Sequence, residues 1–102
     1  IVNLSGGNQQ KVVLGKSLLA KPQILLIDEP TKGIDVGAKT EIYKLMNELV
    51  ESGVSIIMVS SDMPELVSMS DRCIVLSNSH ITGEFTGSDI TQDNVMRAAI
   101  AQ

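Results

Sequence analysis

The chain has 102 residues, 43% of them hydrophobic and 20% charged, a balance that suits a single globular domain with a buried core. Its net charge of -4, with Lys and Arg scattered along the sequence, leaves no electrostatic footprint for nucleic acid. No apolar run approaches the ~20 residues that cross a bilayer, no basic-then-apolar leader opens the chain, and Cys73 has no second cysteine to bridge, so a reduced cytoplasmic setting is expected, with any membrane association through a partner.

The chain starts at Ile1 and reaches a glycine-rich loop by Ser5, with no preceding element to hold that loop, and so reads as an excised segment. Ser5 is placed to cap a helix whose apolar positions include Val12, Val13, Leu18 and Leu19, and Lys21-Pro22 closes it because proline cannot continue the ladder. Ile24 to Ile27 is apolar without alternation, the pattern of a parallel strand covered on both faces, and it delivers Asp28-Glu29 at its C-terminal end. After a turn at Thr31-Lys32-Gly33, the residues Ile42, Leu45, Met46, Leu49 and Val50 follow one helix face, which Gly53 terminates. Val54 to Val59 repeats the buried-strand pattern, and Asp62-Met63-Pro64-Glu65 opens a short helix with a D-x-x-E cap. Arg72 to Leu76 and Ile81 to Phe85 predict short strands around a turn at Asn78-Ser79-His80, and Thr91 caps a last helix using Val95, Met96, Ala99 and Ile100. The alternation of types predicts an α/β layered sheet, mostly parallel strands flanked by helices, with a small C-terminal hairpin and helix.

Two constellations carry chemistry. In Leu4-Ser5-Gly6-Gly7-Asn8-Gln9-Gln10 the adjacent glycines expose backbone N–H groups where a helix begins; that helix end attracts phosphate, or it is an ordinary capped helix after a turn. In Ile24 to Pro30 two adjacent carboxylates stand at the crevice where open α/β sheets bind ligands. Asp28 can hold a hydrated Mg²⁺ and Glu29 can polarise an attacking water; the same pair also serves as a turn cap. The remaining tempting residues read as structural. His80 lies in the expected turn with a solvated side chain, Met46, Met58, Met63, Met69 and Met96 mostly fall on apolar faces, and Cys73 behaves as a small buried hydrophobe.

The ordered string of Leu-Ser-Gly-Gly, a helix, four aliphatics with Asp-Glu-Pro-Thr, and Gly33-Ile34-Asp35 resembles the second half of an ABC ATPase domain, a partial P-loop NTPase, over essentially the whole chain. Leu4 to Gln9 matches the signature motif, Ile24 to Glu29 the Walker B strand with its catalytic glutamate, and Gly33-Ile34-Asp35 the D-loop. Asn8, the run Gly33 to Lys39, Ser60-Ser61-Asp62-Met63-Pro64-Glu65 and Gly83-Glu84-Phe85 resemble the second ATPase domain of bacterial monosaccharide importers of the ribose, galactoside or xylose type. The resemblance implies head-to-tail ATPase domains with ATP between them. Ser5, Gly6, Gly7, Asn8 and Gln9 would contact the γ-phosphate of ATP held by the partner domain. Asp28, holding Mg²⁺ through water, and Glu29 would serve this domain's own ATP, and Asp35 would couple the two sites. The implied partners are the other nucleotide-binding domain, transmembrane permease subunits at the cytoplasmic face of the inner membrane, and indirectly an external sugar-binding protein.

Two departures qualify the resemblance. The Walker A loop, G-x-x-x-x-G-K-[ST], is absent, so this chain alone is expected to have negligible ATPase activity. At the switch position, normally histidine, stands Ser61, which offers no imidazole to a γ-phosphate. Two other readings therefore stay open, a soluble ABC ATPase outside transport and a catalytically silent half-domain that completes a partner's ATP site. In the implied fold a strand leading to the Walker A loop lies between Val54 to Val59 and Arg72 to Leu76. Without it the chain is expected to self-associate through those strand edges; the alternative is a monomer in which the two strands pair directly.

Overall fold

Helix α1 runs Gly6–Ala20 in the computed structural model, which describes residues 6–101. The expected Ser5 cap therefore lies outside the described residues. The buried stripe of α1 is Gly7 and Leu14, with Leu18 half-buried, whereas Val12, Val13 and Leu19 are exposed. This corrects the expected helix face. At about 100° per residue, positions 7, 11, 14 and 18 share one side, and Lys11 occupies one of them, which disguises the stripe. The helix ends on Lys21, which takes a left-handed φ of 49° and donates its N–H to Ser17 O at 2.8 Å, before Pro22 prevents continuation.

Strand β1 (Ile24–Asp28) pairs in parallel with β2 (Ser55–Val59), from Ile24 opposite Ser55 to Asp28 opposite Val59. Between them runs α2 (Val36–Glu51), whose buried residues are Ile42, Met46 and Leu49. Val50 sits at the edge of that stripe and is half exposed, not buried as expected. Gly53, at φ 105°, makes the turn into β2, where Val54 N–H still reaches back to Leu49 O at 3.0 Å. The strands are covered on one face only: Ile24, Leu26, Ile57 and Val59 are all exposed, Leu26 by 73%. Continuous apolar letters implied burial on both faces; here the side chains that alternate with Leu25, Ile27, Ile56 and Met58 remain in solvent.

The chain divides after Val59, and residues from Ser60 onward form a second unit. It consists of α3 (Met63–Met69), β3 (Arg72–Ser77), β4 (His80–Thr86), a 3-10 turn at Gly87–Asp89 and α4 (Gln92–Ile100). β3 and β4 are antiparallel, and their turn is tighter than expected: Asn78 and Ser79 both adopt left-handed φ, the requirement of a two-residue hairpin loop, and His80 already belongs to β4. A register shift next to Val75 leaves Thr82 as the extra residue, and its hydroxyl donates to Ala98 O at 2.7 Å, while Ser77 Oγ donates to Ala101 O at 3.1 Å. Two hairpin hydroxyls thus satisfy carbonyls at the end of α4. Cys73, Val75, Ile90, Val95 and Ala98 form the core, with Met63 and Phe85 packed against it. Met96, Ala99 and Ile100 are exposed, so the buried stripe of α4 is Val95 and Ala98.

Thr91 caps α4 as expected, its hydroxyl accepting from Asn94 N at 3.1 Å. Gly83 is indispensable for a different reason: a Cβ there would stand 2.8 Å from Ala98 Cβ and 2.9 Å from the Phe85 ring. The overall α/β character and the C-terminal hairpin and helix are those expected, and β3 pairs with β4 and β1 with β2 in separate two-stranded sheets.

Candidate functional site

The first helix starts with Gly6 exposed, Gly7 buried, and Asn8 and Gln9 exposed, so of the described signature residues three reach solvent and Gly7 is a packing position as well. A Cβ built on Gly6 would meet Ile34 Cγ1 at 3.8 Å, which puts the start of α1 beside the residue that precedes Asp35. Lys11 of α1 forms an ion pair with Glu41 of α2. The signature-like end and the loop after Glu29 are thereby tied together within one unit. Ser5 lies outside the described residues.

Asp28 ends β1 with its side chain exposed. Glu29 follows in a left-handed conformation, φ 50°, and its N–H donates to Val59 O at 2.7 Å, so the parallel ladder extends one residue beyond the strand. A non-glycine residue in that region is uncommon and costs about 1–2 kcal/mol, a strain that clusters at functional sites. No local pattern in the amino-acid sequence signals it. Glu29 O accepts from Lys32 N at 3.2 Å and Thr31 O from Ile34 N at 3.1 Å; Pro30 is fully buried and Thr31 is 3% exposed. A buried, hydrogen-bonded turn therefore fixes the backbone that carries Glu29. Asp35 accepts from Ala38 N at 2.9 Å and caps α2. Its Oδ1 has that structural duty whatever else the carboxylate does.

Among the described residues no cluster of three or more His, Cys, Asp or Glu converges to hold a metal. A single exposed carboxylate at a strand end suits an ion such as Mg²⁺, which keeps waters and takes phosphate oxygens as its other ligands.

In the second unit Ser61 is exposed between Ser60 and Asp62. Asp62 caps α3 by accepting from Glu65 N at 3.0 Å. The Glu65 carboxylate departs from the expected capping pattern, in which it would reach back to Asp62 N–H: that N–H donates to Ser60 Oγ at 3.0 Å, and the Ser60 hydroxyl donates to Glu65 Oε2. Glu65 is 2% exposed. The D-x-x-E pattern predicts a cap and not the burial of Glu65; the serine five residues before it is the available signal. Cys73 is buried, and burial pushes its thiol pKa up, which disfavours a reactive thiolate. His80 is exposed at the start of β4.

Comparison with known proteins gives this geometry a family. Residues 1–32 match the family described as ABC transporter. The chain is 60% identical over 97 residues to the xylose import ATP-binding protein of Moorella thermoacetica, covering 95% of this chain and 19% of that protein. It is 56% identical over 98 residues to a ribose import ATP-binding protein of Streptomyces coelicolor, covering 96% of this chain and 19% of that one. Over nearly its whole length the chain is similar to ABC transporter ATP-binding proteins. It spans about a fifth of the length of the curated relatives it matches. A solved ATP-binding cassette of an ABC transporter superimposes with a TM-score of 0.81 at 25% identity, covering 96% of this chain and 41% of the solved one. The ABC ATPase fold anticipated from the signature and Walker B strings is thus the fold of this chain's structural neighbours.

Proposed function

We propose that this chain is the C-terminal portion of the second nucleotide-binding domain of an ABC-type ATPase that drives monosaccharide import across a bacterial inner membrane. The relatives' names, for xylose and ribose import, support the sugar class. The observation that carries the catalytic reading is Glu29, held at φ 50° by its N–H bond to Val59 O, at the mouth of a parallel strand pair. Glu29 polarises the attacking water, and Asp28 holds the shell of waters around a cation. Bound Mg²⁺ supplies charge neutralisation at the phosphate oxygens. The start of α1, with Ser5, Gly6, Gly7, Asn8 and Gln9, directs N–H and side-chain donors to the γ-phosphate of ATP on the partner domain. Asp35 couples the two sites, and Ser61 occupies the switch position. The other nucleotide-binding domain and the permease subunits are the direct partners, an external sugar-binding protein an indirect one, and the place of action is the cytoplasmic face of the membrane.

No described helix is long and apolar enough to cross a membrane. Without a Walker A loop in its sequence, this chain alone should turn over ATP well below about 1 s⁻¹, the low end of the ordinary enzyme range. In a full-length protein carrying the chain, Glu29→Gln abolishes ATP turnover and keeps nucleotide binding; normal turnover in that variant removes Glu29 from its role. Ser61 favours one second reading, a site that binds ATP and does not turn it over, and single-turnover hydrolysis with each site disabled separately distinguishes the two.

A further inference from the structure

Burying a carboxylate costs free energy unless its oxygens are hydrogen-bonded, and an ordinary D-x-x-E cap leaves the glutamate at the surface. Glu65 is 2% exposed, so its burial needs a purpose beyond capping. The hydrogen bonds around it close a ring. Ser60 Oγ accepts from Asp62 N at 3.0 Å, which leaves its own proton to be donated to Glu65 Oε2, and Glu65 N donates to Asp62 Oδ1 at 3.0 Å. Three residues, one before Ser61 and two after it, are locked to one another. Ser61 is the exposed residue inside the clasp. A serine hydroxyl stands one carbon from the backbone, whereas an imidazole reaches further and can adjust by rotating, so a switch built on serine needs its main chain placed more tightly.

We propose that Glu65 is a positioning residue for Ser61, acting through the Ser60 hydroxyl to fix the backbone on which Ser61 is presented. The proposal rests on Ser61 being the switch residue. It makes a distinction that packing alone does not: the partner atom on Ser60 matters as much as the carboxylate, and only an acceptor is needed at position 65.

The test uses a full-length sugar-import ATP-binding protein, assembled with its permease, in which this chain replaces the matching segment. Ser60→Ala and Glu65→Ala each lower kcat at least tenfold with KM for ATP within about twofold, and the double variant is no worse than the poorer single one. Ser60→Thr and Glu65→Gln, which keep donor and acceptor, stay within about threefold of the parent. Amide exchange at Asp62 speeds up in Ser60→Ala. If Glu65→Ala fails to fold, the Ser60 pair and the exchange rate decide the matter. Ser61→Ala runs alongside: a silent Ser61→Ala overturns the switch assignment and this proposal with it, whereas an impaired Ser61→Ala together with a silent Ser60→Ala, or additive losses in the double variant, overturns the clasp alone.

Discussion

Glu29 donates its backbone N–H to Val59 O at 2.7 Å while its own φ is 50°, so a ladder hydrogen bond holds a non-glycine residue in left-handed backbone. The strain and the bond belong to one design: the chain turns after β1, and Lys32 N–H closes that turn on Glu29 O at 3.2 Å.

Replacing Glu29 by alanine keeps the strain, and replacing it by glycine releases it. Urea unfolding should therefore find Glu29→Gly more stable than Glu29→Ala by about 1 kcal/mol, the reverse of the order seen at a helical or extended position. Equal stabilities would mean that the left-handed conformation is not retained in solution.

Gly83 has no room for a side chain. Gly83→Ala drives its methyl into Ala98 and the Phe85 ring, and about 1–3 kcal/mol of stability should be lost, with larger side chains losing more. Thermal unfolding followed by circular dichroism measures this, and Gly83→Ala combined with Ala98→Gly should recover part of the loss.

Cys73 gives an alkaline signature. Burial raises its folded pKa, so the folded chain holds the thiol proton to higher pH than the unfolded chain. Stability is complete below the unfolded thiol's pKa, near 8.5 in free cysteine, and erodes as pH rises from there through the folded value. The urea midpoint should fall as pH rises above about 8.5 in the parent and fall less in Cys73→Ala; identical slopes would contradict a buried thiol.

The isolated chain should self-associate. Ile24, Leu26, Ile57 and Val59 present exposed apolar side chains from adjoining strands, a face that a second copy of the chain can cover. Light scattering should report mass rising with concentration, and Leu26→Lys with Ile57→Lys should return the chain to a monomer. A monomer at all concentrations in the parent would exclude the association.

The elements were legible in the sequence because their local signals are strong. Pro22, Gly53, Asp62 and Thr91 stop or start helices for reasons that act within a few residues, and β1 and β2 are short aliphatic runs between them. The buried faces were less legible. Apolar letters at Val12, Val13, Val50 and Met96 suggested core positions, but each lies off its helix's buried stripe, which in α1 includes a lysine and in α4 an alanine. Within the site, the position of Asp28 and Glu29 at a strand end follows from the apolar run before them, whereas Asp35 comes from the family resemblance and its cap of α2 from the structure. The left-handed φ of Glu29 and the burial of Glu65 follow from no such run, because both depend on groups outside the local window: a carbonyl on a neighbouring strand for one, and a hydroxyl that redirects the cap for the other.

The two sheets also differ in how far the chain must travel to make them. Partners in β3 and β4 are separated at the turn by only Asn78 and Ser79, whereas every β1–β2 pair has the whole of α2 between its members. A hairpin of the first kind closes in about 1–10 μs, and a parallel pair waits until its crossover helix has formed and docked, because loop closure is unfavourable until distant contacts compensate it. During synthesis β1 emerges before β2 and their pairing waits until Val59 has followed, so Glu29 acquires its bond to Val59 O only at that later step.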